Sequence, residues 1–191
     1  MTQEEQKKLD EALIEATVMD DLSGMEEAIR GGAKIDALNV YGLQPMHIAA
    51  AHGTESTLEL LLRNGAKVDA ADPDGEQPVH RAALHGRREV LGFLFRNGSR
   101  IDAAGGNGWQ PLHCAASMGC ADAVGFLLEN GADPMAKDAR ERMPLELVGE
   151  NYPDVRNLLE KWSAPDFRAA RTVREHWKRM AGRLQKPGPR M

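Results

Sequence analysis

Four prolines fall at a constant interval of 33 residues: Pro45, Pro78, Pro111 and Pro144. Self-similarity at a fixed period constrains a chain strongly, because each unit must be able to stack on a copy of itself. Much more than proline keeps this phase. Gly42-Leu-Gln-Pro-Met-His47 recurs as Gly75-Glu-Gln-Pro-Val-His80 and as Gly108-Trp-Gln-Pro-Leu-His113. Paired alanines follow each time (Ala49-Ala50, Ala82-Ala83, Ala115-Ala116), then Gly53, Gly86 and Gly119, then Asn64-Gly65, Asn97-Gly98 and Asn130-Gly131.

Each recurring residue type has a local reason. Proline fits the first position of a helix, where no N–H is needed and its fixed φ is pre-set. Alanine pairs allow neighbouring helices to approach closely. Gly53, Gly86 and Gly119 are placed to end a first helix in the left-handed conformation. Leu58, Leu61 and Leu62, like Leu91, Leu94 and Phe95, have the three- and four-residue spacing of a second, amphipathic helix. Asn-Gly stops that helix, and Ala66 to Gly75 reads as an extended arm and a tight turn.

In these positions the chain resembles the ankyrin repeat, a unit of turn, helix and helix with a T-P-L-H-x-A signature. The resemblance implies an all-α repeat solenoid: stacked helix-turn-helix units with β-turn or hairpin arms, plus a C-terminal helix. Its expected divisions are an ankyrin domain over 1–162, with repeats near 8–38, 39–71, 72–104, 105–137 and 138–162, and a basic amphipathic segment over 163–191. The departures are specific. Gln44, Gln77 and Gln110 stand where the signature has threonine, Met143 stands there in the last unit, and Glu146 replaces its histidine. Glutamine caps a helix less well than threonine, at a cost of roughly 0.5–1 kcal/mol per site. Asp36, Asp69 and Asp102 occupy a position where family members often carry an asparagine that is hydroxylated, so that modification does not carry over.

Composition narrows the function classes. No apolar run approaches the ~20 residues of a membrane span, and the N-terminus lacks the apolar core of a secretory signal. Cys114 and Cys120 are the only cysteines, too few for a disulfide framework, so an intracellular setting, cytoplasmic or nuclear, is expected. His47, His80 and His113 are implied by the resemblance to bond backbone groups. The resemblance places His52 and His85 on the concave face of adjacent repeats, ~10 Å apart, too distant for two imidazoles to share one ion without other ligands. His113 and Cys114 are consecutive on a helix and do not face each other, which removes the nearest approach to a nucleophile pair. Asp72-Pro-Asp-Gly-Glu76 opens like a calcium loop but lacks the later ligands, and no phosphate-binding glycine motif is present. The expectation is a monomer with no enzyme activity, cofactor, metal or small-molecule substrate.

The family binds mostly proteins, through turn tips and the exposed side of the first helices. Carried over position by position, the implied contact residues are Tyr41, Leu43 and His52; Asp74, Glu76, Arg81, Leu84 and His85; Asn107, Trp109 and Met118; and Arg140 and Arg142. Tyr41, Leu43, Leu84, Trp109 and Met118 are large and apolar where local packing is not expected to need them, and Trp and Tyr are common interface anchors. The net charge of −5 divides into +6 from Ser163 onwards and −11 over residues 1–162. Pro165 to about Leu184 has helical spacing, with Val173, Trp177, Met180 and Leu184 on one stripe and basic residues opposite. Two uses are open to it: a cap on the end of the array, or a contact with a partner, whether a protein, an anionic membrane or nucleic acid.

Overall fold

The protein is described by a computed structural model over residues 1–167. Within those residues the chain forms nine α-helices and one 3-10 helix, without strands. The elements come in pairs: α1 (Gln3–Val18) with α2 (Leu22–Gly31), α3 (Pro45–His52) with α4 (Glu55–Arg63), and α5 (Pro78–Leu84) with α6 (Arg88–Arg96). Next come α7 (Pro111–Ser117) with α8 (Ala121–Glu129), and the 3-10 helix (Pro144–Leu147) with α9 (Pro153–Ser163). No helix among them is long and apolar enough to cross a membrane.

The helices begin where the residues permit. Proline opens α3, α5, α7, the 3-10 helix and α9. Asp21 caps α2 and Thr54 caps α4 through their side chains. Helix α1 starts at Gln3, earlier than the first unit's expected boundary, because Thr2 and Glu5 form a reciprocal capping box.

Over the first four pairs the first helices stack on one another closely and the second helices only loosely, whereas α8 and α9 pack closely at the end of the array. Size at the contact explains the difference. Ala49, Ala50, Ala82, Ala83, Ala115 and Ala116 are all fully buried in the inner row, whereas the outer row meets through Leu58, Leu61, Leu91, Leu94 and Leu127. A stack that is tight on one side and wider on the other bends towards the tight side, so the inner helices line a concave face. Burying a leucine of this kind stabilises the fold by roughly 1.5–3 kcal/mol.

Three histidines tie each unit to its own helix start and to the next turn. Nδ1 of His47, His80 and His113 accepts the backbone N–H of Gln44, Gln77 and Gln110, at 3.3, 3.0 and 3.1 Å. The other ring nitrogen then carries the proton and donates to a carbonyl 29 residues on: Glu76, Trp109 or Arg142, at 3.1 to 3.2 Å. His80 also donates to Ala103 at 3.0 Å. The glutamine side chains make no cap bond; each histidine N–H reaches the glutamine's backbone carbonyl instead. Burial holds His47 and His113 below the ordinary histidine range, which suits the neutral ring this bonding requires.

One helix stop differs from expectation. Gly86 and Gly119 adopt left-handed φ values of 66° and 69°, but Gly53 is extended at φ −79°. Its carbonyl is taken instead by Arg87, which donates to it at 2.6 Å from the next pair. The turns are regular in another way. Gly42, Gly75 and Gly108 share φ values of 74°, 77° and 76°, and Glu141 holds the same place at 62°. A side chain there costs roughly 1–2 kcal/mol, against a loss of about 0.5–1 kcal/mol from the greater freedom of an unfolded glycine. Glu141→Gly is therefore expected to raise the melting temperature by about 1–2 °C, the size of a gain near 0.5 kcal/mol in a domain of this length. Its exposed pairing with Lys137 is too weakly stabilising to reverse the sign. A lower melting temperature would show that the left-handed turn is not strained.

The expected helix from 165 to 184 lies outside the described residues from Arg168 onwards. Where the chain is last described, Phe167 packs against Trp162 at 5.0 Å between ring centroids.

Candidate interaction surface

The turns form a row along one edge of the stack. In three of the four, a side-chain oxygen at the same phase closes the loop. Asn39 Oδ1 accepts from the N–H groups of Tyr41 and Leu43 at 2.9 and 3.0 Å. Asp72 Oδ1 accepts from Asp74 and Glu76 at 3.0 and 2.9 Å, and Asp138 Oδ1 from Arg140 and Arg142 at 2.8 and 2.9 Å. Neighbouring turns are joined by Gly106 N–H to Asp74 C=O, 2.8 Å, and Ala139 N–H to Asn107 C=O, 3.0 Å. The equivalent donor for the first turn would be residue 73, and Pro73 has none.

Two buried carboxylates anchor basic side chains in this edge. Asp72 Oδ2 accepts from Arg81 at 2.6 Å, and Asp138 Oδ2 from the Arg142 guanidinium at 2.7 Å. Burial alone would push both aspartates up. The arginine and the turn N–H groups outweigh it and hold both below the usual carboxylate range, Asp138 further than Asp72. Arg81 and Arg142 are thereby committed to their own turns as well as lining the surface.

Trp109 also has structural work that its sequence position did not reveal. It is half-buried, and its indole N–H donates to Asp138 at 3.1 Å, in the following turn. Its ring lies 6.5 Å from that of His113, and the Arg142 guanidinium carbon sits 6.0 Å from its centre. Leu84 and Leu43 are half-buried as well, and Leu84 and Trp109 pack on the core. The expectation that packing leaves these side chains unused is therefore corrected for Leu43, Leu84 and Trp109. It holds for Tyr41 and Met118, 79% and 51% exposed. Leu38 and Val40, at 62% and 93%, extend the exposed apolar patch around Tyr41. Leu38 is in phase with Ala71 and Ala104, so its size was the available signal.

Eight of the expected contact residues gather into two hollows beside Trp109, while Tyr41, Leu43 and Met118 line neither. One, a cleft of about 610 Å³, is lined by Asp74, Glu76, Arg81, Leu84 and Asn107, with Cys114 at its floor. The other, about 340 Å³, lies against Asn107, Arg140 and Arg142. His52 and His85 stand apart from both, farther along the inner helices. Their rings are only 4.9 Å apart, edge to face, and not at the full repeat spacing, because the alanine contacts draw the inner helices together. Burial holds His85 below the ordinary histidine range, with His52 and then Arg81 and Arg87 adding to the effect. Among the described residues no group of three or more His, Cys, Asp or Glu side chains could hold a metal. Burial pushes the Cys114 thiol far up, and Glu76 adds to this, so the thiol stays protonated and poorly nucleophilic.

A family model described as ankyrin repeats, in three copies, matches residues 13–105 and 46–138. The chain belongs to the ankyrin-repeat family. Comparison with curated proteins gave no match. Ankyrin repeats generally mediate protein–protein interaction, and the family is typically a non-enzymatic interaction module. The histidine bridges, alanine contacts and closed turns are thus the frame of an ankyrin stack, and the exposed side chains around Tyr41 and the two hollows are what that frame displays.

Proposed function

We propose that this ankyrin protein is a scaffold, adaptor or inhibitor that holds a partner protein across its turn tips and concave helix face. The observation that carries the reading is the patch of Leu38, Val40 and Tyr41. Three large apolar side chains between 62% and 93% exposed stand together at one tip without supporting the fold. Clustered exposed apolar side chains of this kind mark contact surfaces, and the mixed polar and apolar cleft beside Trp109 continues the same edge. A monomer binding its partner through the described repeats accounts for these features.

The test separates binding from folding. Val40→Ser/Tyr41→Ala changes side chains that support no other part of the structure, so unfolding should shift by no more than about 0.5 kcal/mol. Affinity capture from native lysate, with wild type and variant in parallel, should show the partner retained by the variant reduced by about tenfold or more, the loss of one interface anchor. Equal capture by a folded variant would remove this edge from the interface.

A further inference from the structure

The cleft beside Trp109 has an unusual carboxylate. Glu76 is only 16% exposed in its side chain, and among the described residues no lysine or arginine nitrogen forms an ion pair with it. The nearest ring nitrogen, His80 Nδ1 at 3.8 Å, accepts the Gln77 N–H and has no proton to offer. Cys114 Sγ is 4.0 Å away, a weak donor at long range. Arg81 shares the cleft, but its guanidinium is bound to Asp72. With Arg81 paired to Asp72, Glu76 and the exposed Asp74 form no ion pair with a lysine or arginine among the described residues.

The room for this carboxylate comes from a break in the repeat. Asn39, Asp72 and Asp138 close their turns with a side chain, and Gly105 stands at the same phase without one. Glu76 Oε1 lies against Gly105 so closely that a Cβ there would overlap it. Apolar surface from Leu84, Pro73 and Trp109 lines the same hollow.

We infer that this cleft receives one lysine or arginine side chain from an extended basic segment of the partner protein, its stem along Leu84 and Trp109 and its cationic head at Glu76 and Asp74. The inference rests on the protein-binding reading above and adds the partner's chemistry. A half-buried carboxylate that no lysine or arginine of the described residues pairs with is unfavourable: burial pushes its carboxyl above the ordinary range, Asp72 and Asp74 add to that push, and Arg81 opposes it. An incoming cation relieves that cost, and long aliphatic stems of basic side chains cover apolar walls well.

The test uses blocked five-residue peptides, Gly-Ser-X-Ser-Gly, with lysine, arginine or norleucine at X, titrated into the full chain. The readout is the Trp109 indole N–H resonance, assigned with Trp109→Phe. Lysine or arginine peptides are expected to bind at least about tenfold more tightly than norleucine, a difference of ~1.4 kcal/mol, and to weaken as salt is raised. Glu76→Gln should bring them down to the norleucine level. Gly105→Ala, which displaces the carboxylate without changing charge, should do the same. Equal binding of all three peptides, no shift with any of them, or unchanged binding by a folded Glu76→Gln would overturn the cation site. Capture through Val40 and Tyr41 leaves Glu76 untouched, so the broader reading stands or falls separately.

Discussion

His80→Ala is expected to destabilise the array by about 3–5 kcal/mol, a large part of the ~5–15 kcal/mol available to a domain. His80 is fully buried at the centre of the inner row. Its ring joins three segments: it accepts from Gln77 at the start of α5 and donates to the carbonyls of Ala103 and Trp109, at 3.0 and 3.1 Å, in the arm and turn of the next unit. Alanine leaves a cavity and strands polar backbone groups, each costing about 1–3 kcal/mol where water cannot reach. Neighbouring repeats supply most of one another's stability, so a defect in the middle also weakens coupling between the two halves. Urea unfolding should show a lower midpoint and a broader transition. A loss under about 1 kcal/mol would mean that water replaces the ring's three bonds.

The frame of the fold was legible because it is written several times. The prolines, histidines and alanine pairs recur at one interval, and each copy confirms the helix start or close contact read from the others. The first helix start was also available in Thr2 and Glu5, at capping-box spacing, although outside the repeated pattern. Residues whose partners lie one unit away were harder to read. Trp109 bonds Asp138, 29 residues on, and nothing local in the sequence separates an anchored tryptophan from a free one. Arg81 and Arg142 likewise present charges already matched by Asp72 and Asp138. The approach of His52 to His85 depends on how closely the inner helices stack, which helix periodicity leaves open. Glu76 is the clearest case: its setting is made by the missing side chain of Gly105 on another unit.

Gly108→Ala is expected to cost about 3 kcal/mol, beyond the ~1–2 kcal/mol that a left-handed alanine carries by itself. Gly108 holds φ 76°, and a Cβ there would lie 2.7 Å from the backbone nitrogen of Ala139 and 3.3 Å from the carbonyl carbon of Asp138. Neither neighbour is a flexible side chain that can swing aside. The turn containing Asp138 would have to move away, and with it the bonds from Ala139 N–H to Asn107 C=O and from Trp109 Nε1–H to Asp138 Oδ2. Gly98 is the control within the same chain. Its φ of 101° is also left-handed, but open space surrounds the place its Cβ would occupy, so Gly98→Ala should show only the conformational cost of roughly 1–2 kcal/mol. The difference between the two variants isolates the contact between successive turns. Hydrogen exchange should locate it, with faster exchange at Ala139 and the Trp109 indole in Gly108→Ala and unchanged exchange there in Gly98→Ala. Equal losses in the two variants would show that the turns behave as independent loops, and the edge around Trp109 would then lack the rigidity that a preformed binding cleft requires.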